Sequence, residues 1–600
     1  MQALKDLYTK RQEDFKAAAA AYRSKYNRFA LVRLVFFLLA SAVAIGLGSY
    51  SFPLAAGFYL LFLGIFYRFM KWHLGIKKAE KHHKGLALVN QHEMLALDYK
   101  TAQFGDGKDL IDPSHAYSLD LDLFGPYSFF QYCNRASSYL GRRKLAEYLQ
   151  QPASALEIKQ RQAAIEELSG MLDWRQNLQV HGLETEDSPL HVQALKSWLD
   201  EAPFLLEHTF YKIAMYVVPF WSLFTLIFIL PNQPWYLSLL CFLPAAYILN
   251  KSLKDINRIH NHTAQAGDML AKYAFVIRHI EEQEFQSEKL QVLKKTFFRG
   301  DTSASKALNH LAYTISQLNV RYNAFAILLN ISGLWDFHWV LRLEKWKLQY
   351  KERLMEWFES MQAFEALVSL STVHFNNPDW TFPTIAKEPL LVADELGHPL
   401  IHPDTRISND FTTPLSGHIK LVTGSNMAGK STFLRTVGLN IVLAMAGAPV
   451  CARRLSLPLI QVYTSMRTQD ALHESTSSFF AELKRLKFII DEVEQPNDPT
   501  FHPYFLLDEI LKGTNSKDRH TGGEALIRQM IKAGGAGIIA THDLELGKLE
   551  AEYDGQQIEN LCMEVEIDNG VLDFDYKLKK GVSQSFNATI LMQSMGIKIP

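Results

Sequence analysis

Gly424-Ser-Asn-Met-Ala-Gly429-Lys430-Ser431 places two glycines, a lysine and a hydroxyl at the spacing a polyphosphate needs. The glycines let successive backbone N–H groups wrap phosphate oxygens, and Lys430 reaches the β and γ oxygens. Ser431 offers a hydroxyl to Mg²⁺, and the N-terminus of the helix that follows adds its dipole. The predicted nucleotide-holding residues therefore run from Gly424 through Ser425, Asn426, Met427, Ala428, Gly429, Lys430 and Ser431 to Thr432. A second stretch, "YFLLDEI" at 504–510, is an apolar strand that ends in two acids. Asp508 at its end suits a Mg²⁺ held through its water shell, and Glu509 suits polarising the attacking water. A third, "GIIATHD", brings His542 just past another strand, where it faces the γ-phosphate and positions water. Lys430, Glu509 and His542 are the predicted catalytic set of a hydrolase, with ATP or GTP as substrate and Mg²⁺ as cofactor.

These groups need a sheet to carry them, and the texture of the chain supplies one. Residues 419–423 read as the strand that enters the loop, and beyond "NNPDWTFP" (376–383) short β-rich runs alternate with helices. Upstream the pattern is helical, as in "RRKLAEYLQQ" and "LEKWKLQYKERLMEWFESMQAFEALVSL". The expected fold is an α/β P-loop NTPase domain over 376–600 joined to an α-helical body.

Two segments interrupt that body. From Leu34 to Tyr67 no residue is charged, and Arg33 and Arg68 bracket the run; from Ile213 to Asn250 the same holds between Lys212 and Lys251. One helix of 34 residues would be about 51 Å long, well beyond a hydrocarbon core of about 30 Å. Each run breaks in the middle, at "GSYSFP" (48–53) and "LPNQPW" (230–235), with Tyr50, Trp235 and Tyr236 at the turns. The reading is two transmembrane helical hairpins, four membrane-spanning helices in all. Lys and Arg crowd the flanks of the first hairpin and are missing from both turns, so the remainder lies on the cytoplasmic side of an inner membrane. The expected organisation is a basic helix (1–30), hairpin one (31–70), a first helical core (71–208), hairpin two (209–250), a helical lever (251–375) and the ATPase domain (376–600). With 62 Lys+Arg against 63 Asp+Glu there is no global basic field, although a local groove could still be basic. The four cysteines show no Cys-x-x-Cys pair, which argues against a disulfide framework or a zinc site.

The combination "TGSNMAGKSTFLRTVGLN", "SSFFAELKRL", "LLDEILKGTNSKD" and "ATHDLELGKLE" resembles the ATPase domain of the MutS family of mismatch-repair proteins. Asn426 and Met427 inside the loop and Gly513-Thr514 after the acids share in the resemblance, as does the tail "DFDYKLKKGVSQSFN". Upstream, "LFGPYSFFQYCNRASSYLGRRKLAEYLQQP" resembles the start of the family's helical core. The likeness is dense over about 380–590 and is absent from the first hundred residues. It implies an ABC-like ATPase that works as a dimer, here a homodimer, with DNA as an inherited partner. It also implies that Ser477 of one subunit reaches the ATP of the other, and that Arg406 and Tyr576 sandwich adenine. Around Ser477 the period supports a helix with Phe479, Leu483, Leu486 and Ile490 on one apolar face.

The departures bear on function. The family's mismatch readers carry a Phe-x-Glu wedge near the N-terminus, and here no Phe-x-Glu precedes the ATPase domain. A basic helix and an apolar hairpin stand in its place. The leading expectation is a membrane-anchored MutS-like ATPase coupled to DNA, with mismatch reading doubtful. The alternatives are the ATPase subunit of a membrane transporter and a membrane ATPase switch acting on a protein partner. The Leu-Ser-Gly-Gly-Gln signature of ABC transporters is missing between the loop and the acids, and "LSG" at 415–417 lies on the wrong side of the loop.

Overall fold

The computed structural model describes residues 1–183, 187–225, 227, 234, 242–299, 302–425, 428–467, 478–553, 555–564, 566–568 and 571–583. Helix α1 (Gln2–Gly48) and helix α2 (Phe52–Leu97) form an antiparallel hairpin that turns at Ser49–Ser51. Pro53 in the first turn of α2 needs no N–H partner there, which suits it to restart the helix. Each helix runs unbroken past the expected boundaries at 30 and 70, because the basic and apolar segments share one helical register. Both are long and apolar enough to cross a membrane by length and composition, and only 6% of the most apolar window of each is buried. Between the two helices Phe36 meets Phe62 and Phe69, and Phe37 meets Phe66, so aromatic rungs close the hairpin on itself.

Among the described residues these are the only two such helices, where the sequence led us to expect four. Around the second apolar run the chain forms helices Thr209–Phe224 and Leu243–Thr263, and most of the segment between them, with its turn, lies outside the described residues.

The helical body is organised along a 42-residue helix, Trp335–Asn376, whose length is about 63 Å at 1.5 Å per residue. At its C-terminal end it meets the base of the hairpin. The Tyr8 hydroxyl donates to Asn376 Oδ1 at 2.7 Å, and Asn376 Nδ2 donates to Glu93 Oε2 at 2.8 Å. Glu93 of α2 pairs with Arg135 of the core through two bonds of 2.6 and 3.0 Å, all of it buried.

The α/β domain follows. Its main sheet runs in the order Leu578–Lys580, Ile558–Met563, Ile419–Thr423, Ala536–Thr541, His502–Asp508, Ile460–Ser465, and every pairing except the first is parallel. Buried on both faces, strand 536–541 is a continuous run of apolar and small residues, as a covered parallel sheet requires, while strand 419–423 includes Lys420, which pairs with Glu559. A smaller four-stranded sheet carries Leu390–Leu396 and Asn409–Pro414. In register, Thr423 lies beside Thr541, and Ala540 beside Asp508, so the carboxyl ends of three strands open on one crevice.

Candidate functional site: a phosphate loop and its acids

Helix Lys430–Ala446 starts directly after the loop, with Gly429 at φ 97° as its first boundary residue. The two glycines of the motif are required for different reasons. A Cβ on Gly424, at φ 150°, would lie 2.5 Å from the carbonyl oxygen of Met563, and one on Gly429 would lie 2.9 Å from the Tyr576 ring. Lys430 is buried, and its ammonium donates to the loop's own carbonyls, Gly424 O at 2.7 Å and Ser425 O at 2.9 Å. Burial pushes that ammonium down to about 8, against the opposing pull of Glu509 and Asp508. Ser431 is half-buried in the first helical turn, Thr432 is exposed and Ala428 is buried. Asn426 and Met427 lie outside the described residues.

Across the crevice the acidic strand ends at Asp508. Asp508 is buried, and its Oδ1 has no hydrogen-bond partner among the described residues. A buried acceptor left open beside a phosphate loop fits the water shell of a divalent cation, with the Ser431 hydroxyl as the second group. Glu509 follows at φ 50° and Leu511 at φ 60°. Positive φ in a non-glycine residue costs on the order of 1–3 kcal/mol and persists only when its surroundings enforce it. The Glu509 N–H donates to Ala540 O at 2.8 Å, and the half-buried Glu482 carboxylate accepts from the Leu511 N–H. Glu482 sits on helix Ser478–Glu494, so that helix fixes the acidic turn.

The Glu509 carboxylate accepts from His542 Nε2 at 2.6 Å and pairs with Lys512 Nζ at 3.1 Å. Burial alone would lift its carboxyl, but Lys512 and His542 outweigh burial and hold it below the usual carboxylate value. His542 also lies 3.5 Å from Lys430 Nζ. Lys430, Asp508, Glu509 and His542 thus converge at the ends of three neighbouring strands, an arrangement that can hold a triphosphate, a cation and an attacking water.

The MutS domain V family model matches residues 420–597. The chain is 28% identical over 257 residues to the DNA mismatch repair protein MutS of Thermotoga neapolitana, covering 42% of this chain and 30% of that protein. Over 206 residues it is 31% identical to DNA mismatch repair protein MutS of Aquifex pyrophilus, covering 34% of this chain and 23% of that one. In residues 420–597 the chain carries a MutS domain V. It spans less than a third of the length of these relatives, and the matched domain is the one that carries the converging side chains.

Beside the loop of this MutS domain lies a cavity of about 290 Å³. Tyr576 lines it, stacked on Phe574 with ring centroids 5.8 Å apart, and Asn409 Nδ2 donates to the Tyr576 carbonyl at 3.1 Å. Arg406 does not line it. Its guanidinium turns inward to Cys451 Sγ at 2.6 Å, which corrects the expectation that it stacks on adenine. Ile407, the next residue, lines the cavity, as do His398 and Met563. Burial pushes the His398 imidazole down to about 4, so a neutral ring faces the cavity. Sequence reasoning passed over His398 although it sits in the "GHPL" stretch, and missed Lys512, whose only signal was its place three residues after Glu509.

The apolar face of helix Ser478–Glu494 is rotated from expectation. Leu486, Ile489 and Val493 are buried and Phe479 and Ile490 partly so, while Leu483 is exposed. Ser477 lies outside the described residues. Upstream of it, Asp120 of the helical core accepts from the Met466 and Arg467 N–H groups at 3.2 and 3.1 Å, which ties this edge of the domain to the body.

The cavity makes a prediction. Losing an aromatic stack costs about 1–3 kcal/mol. Tyr576→Ala should therefore weaken binding of a fluorescent adenine nucleotide by about tenfold, whereas Arg406→Ala should leave it within about twofold. The opposite ranking in a direct titration would return adenine to Arg406.

Proposed function

We propose that this chain is a membrane-anchored MutS-type ATPase that binds ATP with Mg²⁺ and hydrolyses it as a homodimer. The observation that carries the proposal is the convergence of Lys430, Asp508, Glu509 and His542 on one crevice at the strand ends. Backbone N–H groups from Gly424 to Thr432 and the Lys430 ammonium bind the phosphates, and Tyr576 covers the base. Ser431 and Asp508 would hold Mg²⁺, which supplies positive charge to the phosphate oxygens as the bond to the leaving group breaks. Glu509 orients and polarises the attacking water, with His542 and Lys512 fixing its carboxylate. Ser477 of the partner subunit completes the site.

The anchor reading is supported by two helices of membrane length whose apolar windows are exposed, with Arg33, Arg68 and Lys71 at the edge of the run. We place hairpin two in the same inner membrane, giving four spans with the ATPase domain in the cytoplasm. DNA as the regulated ligand is supported by the names of the relatives. A second reading, an ATPase switch acting on a membrane protein partner, is favoured by the apolar hairpin that occupies the first hundred residues.

The ATPase rate of detergent-purified protein, with homoduplex or mismatched DNA across a salt series, separates the two readings. Stimulation that weakens steeply with salt marks a DNA-responsive machine. A robust rate indifferent to DNA would end the DNA reading and favour a protein partner. Lys430→Ala is the control: losing charge-assisted bonds worth about 1.5–3 kcal/mol should weaken ATP binding about 10- to 150-fold. Retained affinity would undo the phosphate-loop assignment.

A further inference from the structure

Between Arg321 and Asp336 the chain has 14 consecutive uncharged residues, "YNAFAILLNISGLW". Ten of them form helix Ala324–Gly333, about 15 Å long, half of what a bilayer core of about 30 Å requires. It cannot span. Nor is it a core helix, because Ile327 and Leu328 are 56% and 54% exposed.

Its orientation is fixed from the inside. Ala326 is buried, and the buried Asn330 side chain exchanges two bonds with Asp336, at 3.0 and 2.9 Å. Asp336 is paired in turn with Arg321 at 3.2 Å. A polar clamp thus holds one face to the body and turns the isoleucine and leucine outward. The helix packs against Thr209–Phe224 and Leu243–Thr263, the described flanks of the second apolar run. There Phe210, Ile213, Tyr216, Val217, Phe220 and Leu223 are all more than half exposed. Tyr322, the first residue of the same uncharged run, is 72% exposed, an aromatic of the kind that settles at a membrane interface.

This end of the body and the apolar end of the hairpin point the same way. Contacts climb in one order from the base: Tyr8 to Asn376, then Arg175 to Thr372 and Asn90 to Gln176, then His82 to His181, His181 to Phe275, and Tyr273 to Phe358. Moving away from Asn376, the hairpin runs toward its apolar stretch as the 42-residue helix runs toward Trp335.

We propose that the surface formed by helix Ala324–Gly333 and its two neighbours is seated in the interfacial layer of the lipid bilayer. Large apolar side chains exposed on three packed helices mark an interaction surface, and they continue a run of membrane length bracketed by Lys212 and Lys251. Helix Trp335–Asn376 then joins lipid at one end to the start of the ATPase domain at the other. The proposal rests on the membrane reading of hairpin two given above.

The test uses the full chain, cysteine-free apart from one reporter, in phosphatidylcholine–phosphatidylglycerol vesicles. Leu328→Cys is compared with Lys345→Cys as a water-exposed control, and with Leu60→Cys and Phe220→Cys as hairpin reporters. Leu328→Cys should react with a membrane-impermeant maleimide at least about tenfold more slowly than Lys345→Cys. A fluorophore placed there should be quenched by nitroxide-labelled lipid. Fast labelling of Leu328→Cys with Leu60→Cys and Phe220→Cys protected would overturn the proposal alone. Fast labelling at Phe220→Cys as well would overturn the reading of hairpin two with it. Protection without quenching by lipid would show a protein contact, and overturn the proposal too.

Discussion

Glu509→Gln should bind ATP with nearly unchanged affinity and turn it over about 10²–10⁴-fold more slowly, the range for losing a positioned general base. The amide keeps the shape of the carboxylate and can still accept from His542, now 2.6 Å away. It lacks the charge that polarises water, and it leaves Lys512 without its ion pair. The turn at φ 50° should survive, since the Glu509 N–H to Ala540 O bond and the cap from Glu482 involve other atoms. A loss of rate with unchanged thermal unfolding therefore reports chemistry rather than structure. Because closure of the dimer precedes hydrolysis in this proposal, the variant should also accumulate as an ATP-bound dimer, visible by light scattering. Unchanged turnover would remove Glu509 from the mechanism. A slow variant that stays monomeric with ATP would keep Glu509 and remove the dimer.

The parts of this site that were legible in the sequence are those whose chemistry is local. Strand 419–423 occupies the range expected of it, a short and mostly apolar run that enters a glycine loop. The break at 48–53 is the hairpin turn, since Gly, Ser and Pro there cannot extend a helix cheaply. Arg406 shows where this fails. Residues 398–408 have no helical or strand period, so a shift of one residue, which puts Ile407 in the cavity and Arg406 against Cys451, left no trace in the pattern. Leu483 shows a related limit: its spacing fits the apolar face, but the sheet covers the face turned toward Leu486 and Ile489. The joint between Glu93, Arg135, Tyr8 and Asn376 was invisible for another reason. Its members are tens to hundreds of residues apart, and each alone is an ordinary polar residue of a helix or loop.

That joint carries the largest expected effect on stability. Glu93→Ala should destabilise the protein by about 3–5 kcal/mol, because it leaves the Arg135 guanidinium buried without its partner. The side chains of Glu93 and Arg135 are only 2% and 4% exposed. Burial would raise the Glu93 carboxyl, yet Arg135 and the Asn376 amide hold it below the usual carboxylate range. Its contribution is therefore present above the unfolded-state value and is lost as pH falls through the depressed folded one. Arg135 cannot respond by shedding its proton, and its stacking on Phe104 at 3.7 Å does not replace a counter-ion. The loss should exceed that of any surface pair such as Lys487–Asp491, whose two charges stay in water whether or not they pair. Replacing both partners, as in Glu93→Leu with Arg135→Met, should recover most of the loss, since a buried pair exchanged for packed apolar groups is often neutral. Urea unfolding of the detergent-solubilised protein measures both variants. If Glu93→Ala costs no more than the surface pair, the joint is not what fastens the hairpin to the helical body. If the double variant is as unstable as the single one, the defect lies in the lost bonds from Asn376 and Arg135 to its neighbours rather than in an unpaired charge.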